Sequence, residues 1–307
     1  MKVLRIIPVL FLCLLAGPPA ASPLKIAVNS TTIESFPVFA AADAAELIPV
    51  PNGRAAMSQL VTGAADLATG SETQALINSV TEPRLRIILT LAECRYRIVA
   101  RGSAGIRRIS DLRFKKVAVT ANTSSQYFLH RMLLSAHVDE AVVQMVSLEG
   151  PDMPAALEKG TVDAVAIWEP HAENAQRALG SDAVVFEDAS AYTERFNLNT
   201  RTDVLANTEK RAAMVGLVRA IVRSSAVIRK RPPDLISSLS PRVGLPDKTV
   251  MAVWPQFSFT ASISGKLRAA LFEVEPWVAA TQKRSPRSRD DLAALIDSSI
   301  LSAAERR

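Results

Sequence analysis

Four short segments carry the side chains with the widest chemical reach: Asn29-Ser30-Thr31-Thr32, Thr69-Gly70-Ser71, Ala121-Asn122-Thr123-Ser124-Ser125 and Trp168-Glu169-Pro170. Three are rich in hydroxyls. The fourth offers a flat apolar ring and a carboxylate. In Thr-Ala-Asn-Thr-Ser-Ser-Gln-Tyr-Phe-Leu-His (120–130) the hydroxyls run straight into an apolar-periodic stretch that reads as a helix from Ser124 or Ser125. A helix start presents free N–H groups and partial positive charge, and hydroxyls beside it add donors, a combination suited to an oxyanion. The same residues also suit an ordinary N-cap. Trp168 can wall a pocket against an alkyl or ring portion of a ligand, or simply pack. Glu169 can accept bonds from a ligand amine or cap the helix that follows.

Other chemistries find little support. His130, His137 and His171 have no i, i+4 partner and no nearby Cys, so no metal site is expected, and no cofactor motif is present. There is no nucleophile elbow, no glycine-rich phosphate loop and no recognisable pair of carboxylates.

All four segments fall where short strands end. Leu24-Lys25-Ile26-Ala27-Val28 reads as a strand, 38–47 as an alanine-rich helix, and 85–91, 96–100 and 116–120 as further strands. One pattern, L-x-x-G-x-x-D, occurs twice, as Leu60, Gly63, Asp66 and as Leu157, Gly160, Asp163. Each copy reads helix, glycine stop, strand, turn, helix, with strands at 65–69 and 162–168. Leu packs the last helical turn, Gly supplies a left-handed cap and Asp starts a strand of small or β-branched residues. After 197–205 the chain turns mostly helical, over 206–230, 247–253, 265–282 and 290–304. Alternating strands and helices imply parallel sheets covered on both sides, whose ligands sit beyond the carboxyl ends of the strands.

The chain has 307 residues, 49% of them apolar, enough for two cores of ordinary size. Lys2 and Arg5 precede an apolar run over 6–16 that is broken by Gly17, Pro18 and Pro19, the layout of a secretory signal peptide cleaved near residues 20–22. Cys13 follows Leu12 rather than a small residue, so no lipid anchor is expected; without the signal, Cys94 is the one remaining thiol and no internal disulfide can form. The mature protein is expected to be soluble. The formal charge of +6 falls to about +4 without Lys2 and Arg5. A field of that sign favours anionic solutes, although the basic residues are dispersed as on any solvated surface. The run Lys283-Arg284-Ser285-Pro286-Arg287-Ser288-Arg289 lacks interleaved aromatics and reads as a solvated loop, and no nucleic-acid partner is expected.

Over 106–179 the chain resembles the periplasmic solute-binding proteins of ABC importers for nitrate, sulfonates and taurine. The resemblance lies in Asp111-Leu112, Lys115-Lys116, Thr123-Ser124-Ser125, Ala156-Leu157, Gly160, Asp163-Ala164 and Trp168-Pro170, and extends more weakly over 24–281. Phe114 and Ala121-Asn122 stand where that family commonly has glycine. The resemblance implies an α/β, two-lobed type II periplasmic binding fold, each lobe a mostly parallel sheet flanked by helices. The expected division is a signal peptide over 1–22, a discontinuous first lobe over 23–100 and 197–307, and a second lobe over 101–196. It further implies a monomeric periplasmic receptor, not an enzyme, that clamps a small solute and delivers it to the membrane permease of an importer.

For a sulfonate-, taurine- or nitrate-like anion, Asn122, Thr123, Ser124 and Ser125 are expected to hold the charge and Ser30, Thr31, Thr32 and Ser71 to complete the shell. Trp168 would cover the organic part. An alternative solute is an amine or aminopyrimidine bound through Glu169, with Glu34 or Glu93 as further acceptors, as related thiamine-precursor binding proteins suggest. Two other classes are an enzyme on the same fold, of the pyrimidine-precursor synthesis or menaquinone-pathway dehydratase type, and the sensing domain of a larger signalling system.

Overall fold

The computed structural model describes residues 23–306 apart from 44 and 232; the expected signal segment and Cys13 lie outside them. The chain begins with β1 (Lys25–Asn29), α1 (Phe36–Phe39), β2 (Glu46–Val50), α2 (Gly53–Val61), β3 (Leu67–Ser71), α3 (Glu72–Asn78) and β4 (Leu85–Cys94). It crosses through β5 (Arg97–Arg101) into β6 (Lys116–Val119), α4 (Ser124–Ser135), β7 (Gln144–Ser147), α5 (Met153–Glu158), β8 (Ala164–Ile167), α6 (His171–Leu179) and β9 (Ala183–Phe186). It returns in β10 (Glu194–Arg201), followed by α7 (Thr202–Ala206), α8 (Thr208–Ile228), α9 (Pro233–Leu239) and α10 (Asp247–Val253). The final elements are β11 (Phe257–Ser258), α11 (Gly265–Thr281), α12 (Arg289–Ala293) and α13 (Ser299–Glu305). Among the described residues no helix is long and apolar enough to cross a membrane.

Two sheets organise the molecule, in the orders β11-β4-β10-β3-β1-β2 and β7-β6-β8-β5-β9. β1 runs parallel to β2 and β3, and β6 parallel to β7 and β8. The sheets are nonetheless mixed rather than mostly parallel: β10 opposes β3 and β4, and β5 opposes β8 and β9. The parallel strands of each sheet point their carboxyl ends at the other sheet. A strand arriving from that side must therefore run the opposite way.

The repeated pattern plays the same part in both lobes. Leu60 and Leu157 are fully buried, and Gly63 and Gly160 hold φ of 81° and 70°, the left-handed region that glycine enters without strain. Asp66 accepts from the N–H of Lys25, the first residue of β1, at 3.1 Å; Asp163 accepts from that of Lys116, the first residue of β6, at 2.9 Å. Each Asp thus ties the start of the neighbouring parallel strand.

Three local expectations fail. The stretch over 38–47 is helical only to Phe39, and Glu46–Val50 is an edge strand instead, because Leu47, Ile48 and Val50 complete the ladder beside β1. Tertiary pairing overrides the helix preference of the alanines before it. The helix expected over 290–304 splits into α12 and α13, with Ile296 bridging to Ile87 of β4 between them. The basic run is no free loop: Arg284 and Arg287 converge on the buried carboxylate of Glu275, and Arg287 also donates to Ser79 Oγ and the Leu76 carbonyl.

Candidate functional site

A cavity lies where the carboxyl ends of the parallel strands of the two sheets face each other. The first sheet and its helices contribute Asn29, Glu34, Ser71, Gln74, Glu194 and Phe196, and the start of α2 adds Asn52, Gly53 and Arg54. The second contributes Thr120, Thr123, Ser124 and Trp168, and Tyr96 stands at the first crossing.

Five of the sequence candidates border this cavity: Glu34, Ser71, Thr123, Ser124 and Trp168. Ser71 Oγ caps α3 by accepting from the Gln74 N–H at 3.2 Å. Thr123 caps α4, accepting from the Ser125 N–H at 3.2 Å while donating to the Thr120 carbonyl at 2.7 Å. Ser124 Oγ sits between the Tyr96 hydroxyl at 2.8 Å and Glu194 Oε1 at 3.1 Å, a chain that joins α4 to both crossings. Trp168 is 8% exposed, and its Nε1–H has no hydrogen-bond partner.

The other candidates lie outside the lining and hold the scaffold around it. Ser30 Oγ donates to the Val50 carbonyl, and Thr31 Oγ1 to Asn29 Oδ1 and the Pro51 carbonyl. Thr32 accepts from the Glu34 N–H and donates to Glu34 Oε2. Ser125 Oγ accepts from the Thr120 N–H at 2.9 Å and donates to the Ala166 carbonyl at 2.6 Å. Asn122 takes φ of 56°, and its carbonyl accepts from Gln74 Nε2 at 2.8 Å, a bond from one lobe to the other. Glu169 is fully buried and engaged: Arg97 Nε donates to it at 2.6 Å and the Glu173 N–H at 3.0 Å. Burial raises its pKa against the pull of Arg97. Glu93 is near Lys266, 4.0 Å away.

The strongest electrostatic feature is a group of three buried side chains beside the cavity. Carboxyl oxygens of Glu34 and Glu194 and the sulfur of Cys94 lie within 4.8 Å of one another. Burial pushes Glu34 up to about 7 and Glu194 well above the usual carboxylate range, and the proximity of the two carboxyls adds to the rise at Glu194. Burial, followed by the two carboxylates, likewise raises the Cys94 thiol. Among the described residues Glu34 Oε1 and Glu194 Oε2 accept from no N–H or hydroxyl; besides Thr32, the groups within reach of Glu34 are the Glu194 carboxyl and the Cys94 thiol, each able to donate to it when protonated. An unpaired buried acceptor is costly, so each calls for a proton or a donor from outside. Next to them Glu72, also pushed to about 7 by burial and by Glu194, accepts from the Tyr192 hydroxyl at 2.7 Å and the Arg195 N–H at 2.7 Å.

Reading strand ends finds Ser71 and Trp168 but misses Glu194. Glu194 begins β10 rather than ending a strand, and the antiparallel course of β10 sets its amino end at the same edge as the carboxyl end of β3. Asn29 and Thr120, each at the carboxyl end of an expected strand, also line the cavity, and Tyr96, Arg54, Gln74, Asn52 and Phe196 are further lining residues with no signal in their spacing.

The profile of the family described as NMT1/THI5 like matches residues 44–234. A putative aliphatic sulfonates-binding protein of Escherichia coli (strain K12) is 30% identical over 152 residues, which span 48% of this chain and 46% of that protein. The chain thus matches about half the length of this curated relative. Among solved structures, the periplasmic aliphatic sulphonate binding protein SsuA from Escherichia coli superposes with a TM-score of 0.74 at 18% identity, over 89% of this chain and 97% of that one. The desulfurization enzyme DSZB superposes with a TM-score of 0.67 at 14% identity, over 92% and 98%. One fold therefore serves binding in one case and catalysis in the other.

Proposed function

Because this chain belongs to the NMT1/THI5-like family, we propose that it is the solute-binding component of an ABC importer, and that its solute presents N–H donors to Glu34 and Glu194. An amine or an aminopyrimidine meets that description. The observation that carries the reading is the pair of buried carboxyl oxygens, unpartnered by any N–H or hydroxyl among the described residues, on Glu34 and Glu194, two residues that line the cavity. The acceptor role considered for Glu169 passes to them, since Glu169 is committed to Arg97. Trp168 and Tyr96 supply flat surface for the body of the solute, and Trp168 Nε1 a donor for one of its acceptors.

The remaining parts of the reading extend the expectations from the sequence. The segment 1–22 is removed on export, and the monomeric protein works in the periplasm with a membrane permease. The two lobes, expected as 23–100 with 197–307 and as 101–196, divide a few residues earlier at each crossing, because β5 (Arg97–Arg101) pairs in the second sheet and β10 starts at Glu194 in the first. Solute contacts with both lobes favour the closed form over the open one. The role is capture rather than turnover; conversion of any bound compound by the purified protein would reverse that view.

A second reading keeps an oxyanion such as an alkanesulfonate, held at the start of α4 by Thr123 and Ser124. The similarity to sulfonate-binding proteins and the Trp168 N–H, which has no partner among the described residues, favour it. A thermal-shift panel of the mature protein with aminopyrimidines, amines, taurine, simple sulfonates, nitrate and bicarbonate separates the two, since a bound ligand raises stability by mass action. The first reading expects a response to N–H donors that Glu194→Gln diminishes. A response confined to sulfonates or nitrate overturns it.

A further inference from the structure

The cleft mouth carries an anion seat that the protein fills by itself. Asn52, Gly53 and Arg54 open α2 and border the cavity. Asn52 Oδ1 accepts from the Ala55 N–H at 2.9 Å, which fixes the side chain and leaves its amide NH2 free to donate. A helix start with an adjacent guanidinium and an amide donor is a place for one negative charge. Glu149, in the loop after β7 of the other sheet, supplies it. Arg54 Nη2 lies 2.5 Å from Glu149 Oε1, and Asn52 Nδ2 donates to Oε2 at 3.4 Å.

Arg54 is the one cation among the residues described as lining the cavity. Its partner from across the cleft is half exposed, as is Arg54 itself, at 50% and 46%. Exposed pairs of this kind contribute little stability, so the contact matters less for holding the fold than for the charge it sets at the cleft mouth. A second observation points to a ligand here: Trp168, which lines the same cavity from the second sheet, is nine-tenths buried and its Nε1–H has no partner among the described residues.

We propose that Glu149 is a specificity determinant, a built-in anion that occupies the α2 seat and turns oxyanionic solutes away, leaving the cavity to solutes that bring N–H donors to its acidic floor. This rests on the reading that the cavity is the solute site. With Glu149 in place, an incoming anion must displace a tethered carboxylate and then lie near it; like charges set together at an interface are strongly disfavoured.

The test is isothermal titration of ethanesulfonate and of nitrate into wild type, Glu149→Gln, the double variant Glu149→Gln/Arg54→Ala, and Glu158→Gln as a control for net charge. Glu149→Gln should bind at least one of these anions about tenfold more tightly than wild type. The gain should vanish in the double variant and be absent from Glu158→Gln. Equal affinity in wild type and Glu149→Gln overturns the proposal, as does a gain that survives loss of Arg54 or appears equally in the control. Aminopyrimidine and amine titrations of the wild type, run in parallel, judge the solute reading separately: their failure removes that reading, while the anion gain stands on its own measurement.

Discussion

Replacing Glu34 with Gln should make the solute-free protein more stable at pH 8 and leave it unchanged near pH 4. Burial raises the Glu34 pKa from 4.5 to about 7. The folded state therefore binds more protons than the unfolded state across that window, and stability falls as pH rises from about 4.5 to about 7. Above that range the loss is complete. A rise of this size corresponds to about 3 kcal/mol at 1.36 kcal/mol per unit. Gln stays neutral and fills nearly the same volume, so Glu34→Gln should recover about 3 kcal/mol at pH 8, or about 6 °C in melting temperature for a chain of this length. Urea denaturation of both proteins from pH 4 to pH 8.5 reads the difference directly. Glu72 slopes the same way in both proteins, while Glu194 loses the share of its rise that Glu34 causes, which adds to the gain of the variant at high pH, so the quantity of interest is the gap between the two curves. A gap that does not change with pH, or a variant less stable than wild type at pH 8, would refute the electrostatic account. The same variant should bind N–H-donor solutes more weakly, because the acceptor that strains the empty site is the one the solute uses.

Phe114 is 73% exposed and held at φ of 63°, so Phe114→Gly should stabilise the protein by about 1 kcal/mol in chemical denaturation while solute affinity stays unchanged. Ser124 and Ser125 should separate cleanly: Ser125→Ala strips the Thr120 N–H of its partner and should cost about 1–2 kcal/mol in denaturation with little effect on affinity. Ser124→Ala should lower affinity in titration with a smaller stability loss, since its hydroxyl faces the cavity and Glu194. At Glu275, burial works against ionisation, yet Arg287 and Arg284 hold the carboxyl down at about 2. Glu275→Gln should therefore lose about 2 kcal/mol at pH 7, with the deficit shrinking as pH falls from 4.5 toward 2, measured by acid-to-neutral urea titrations.

Much of the scaffold was legible because it rests on local rules. Gly63 and Gly160 need left-handed backbone, Asp66 and Asp163 each hold a neighbouring strand, and α10 and α11 follow apolar spacing almost to the residue. The two departures from the family pattern also have a backbone meaning. Phe114 and Asn122 both adopt positive φ, where glycine is unstrained and Asn is tolerated better than Phe. What local rules could not supply was pairing at a distance. β2 exists because β1 offers an edge, and β7 and β9 are short strands whose residues take strand form beside β6 and β5. The site divides in the same way. Ser71, Thr123, Ser124 and Trp168 follow from reading the carboxyl ends of strands. Glu194 does not, because its place depends on the direction of β10, and Glu169 looked available only while its partner Arg97, far away in sequence, was unknown.

Glu194 stands opposite Cys94 in the ladder of β10 and β4, next to both passages of the chain between the sheets. A hinged body moves least at its fulcrum and most at its rim. Rotation of one sheet against the other would therefore carry Arg54 and Glu149 through a long arc and barely disturb Glu34 and Glu194. The acidic floor would keep its shape whether the jaws stand wide or narrow, while the Arg54–Glu149 contact at the rim would break and form again with each swing.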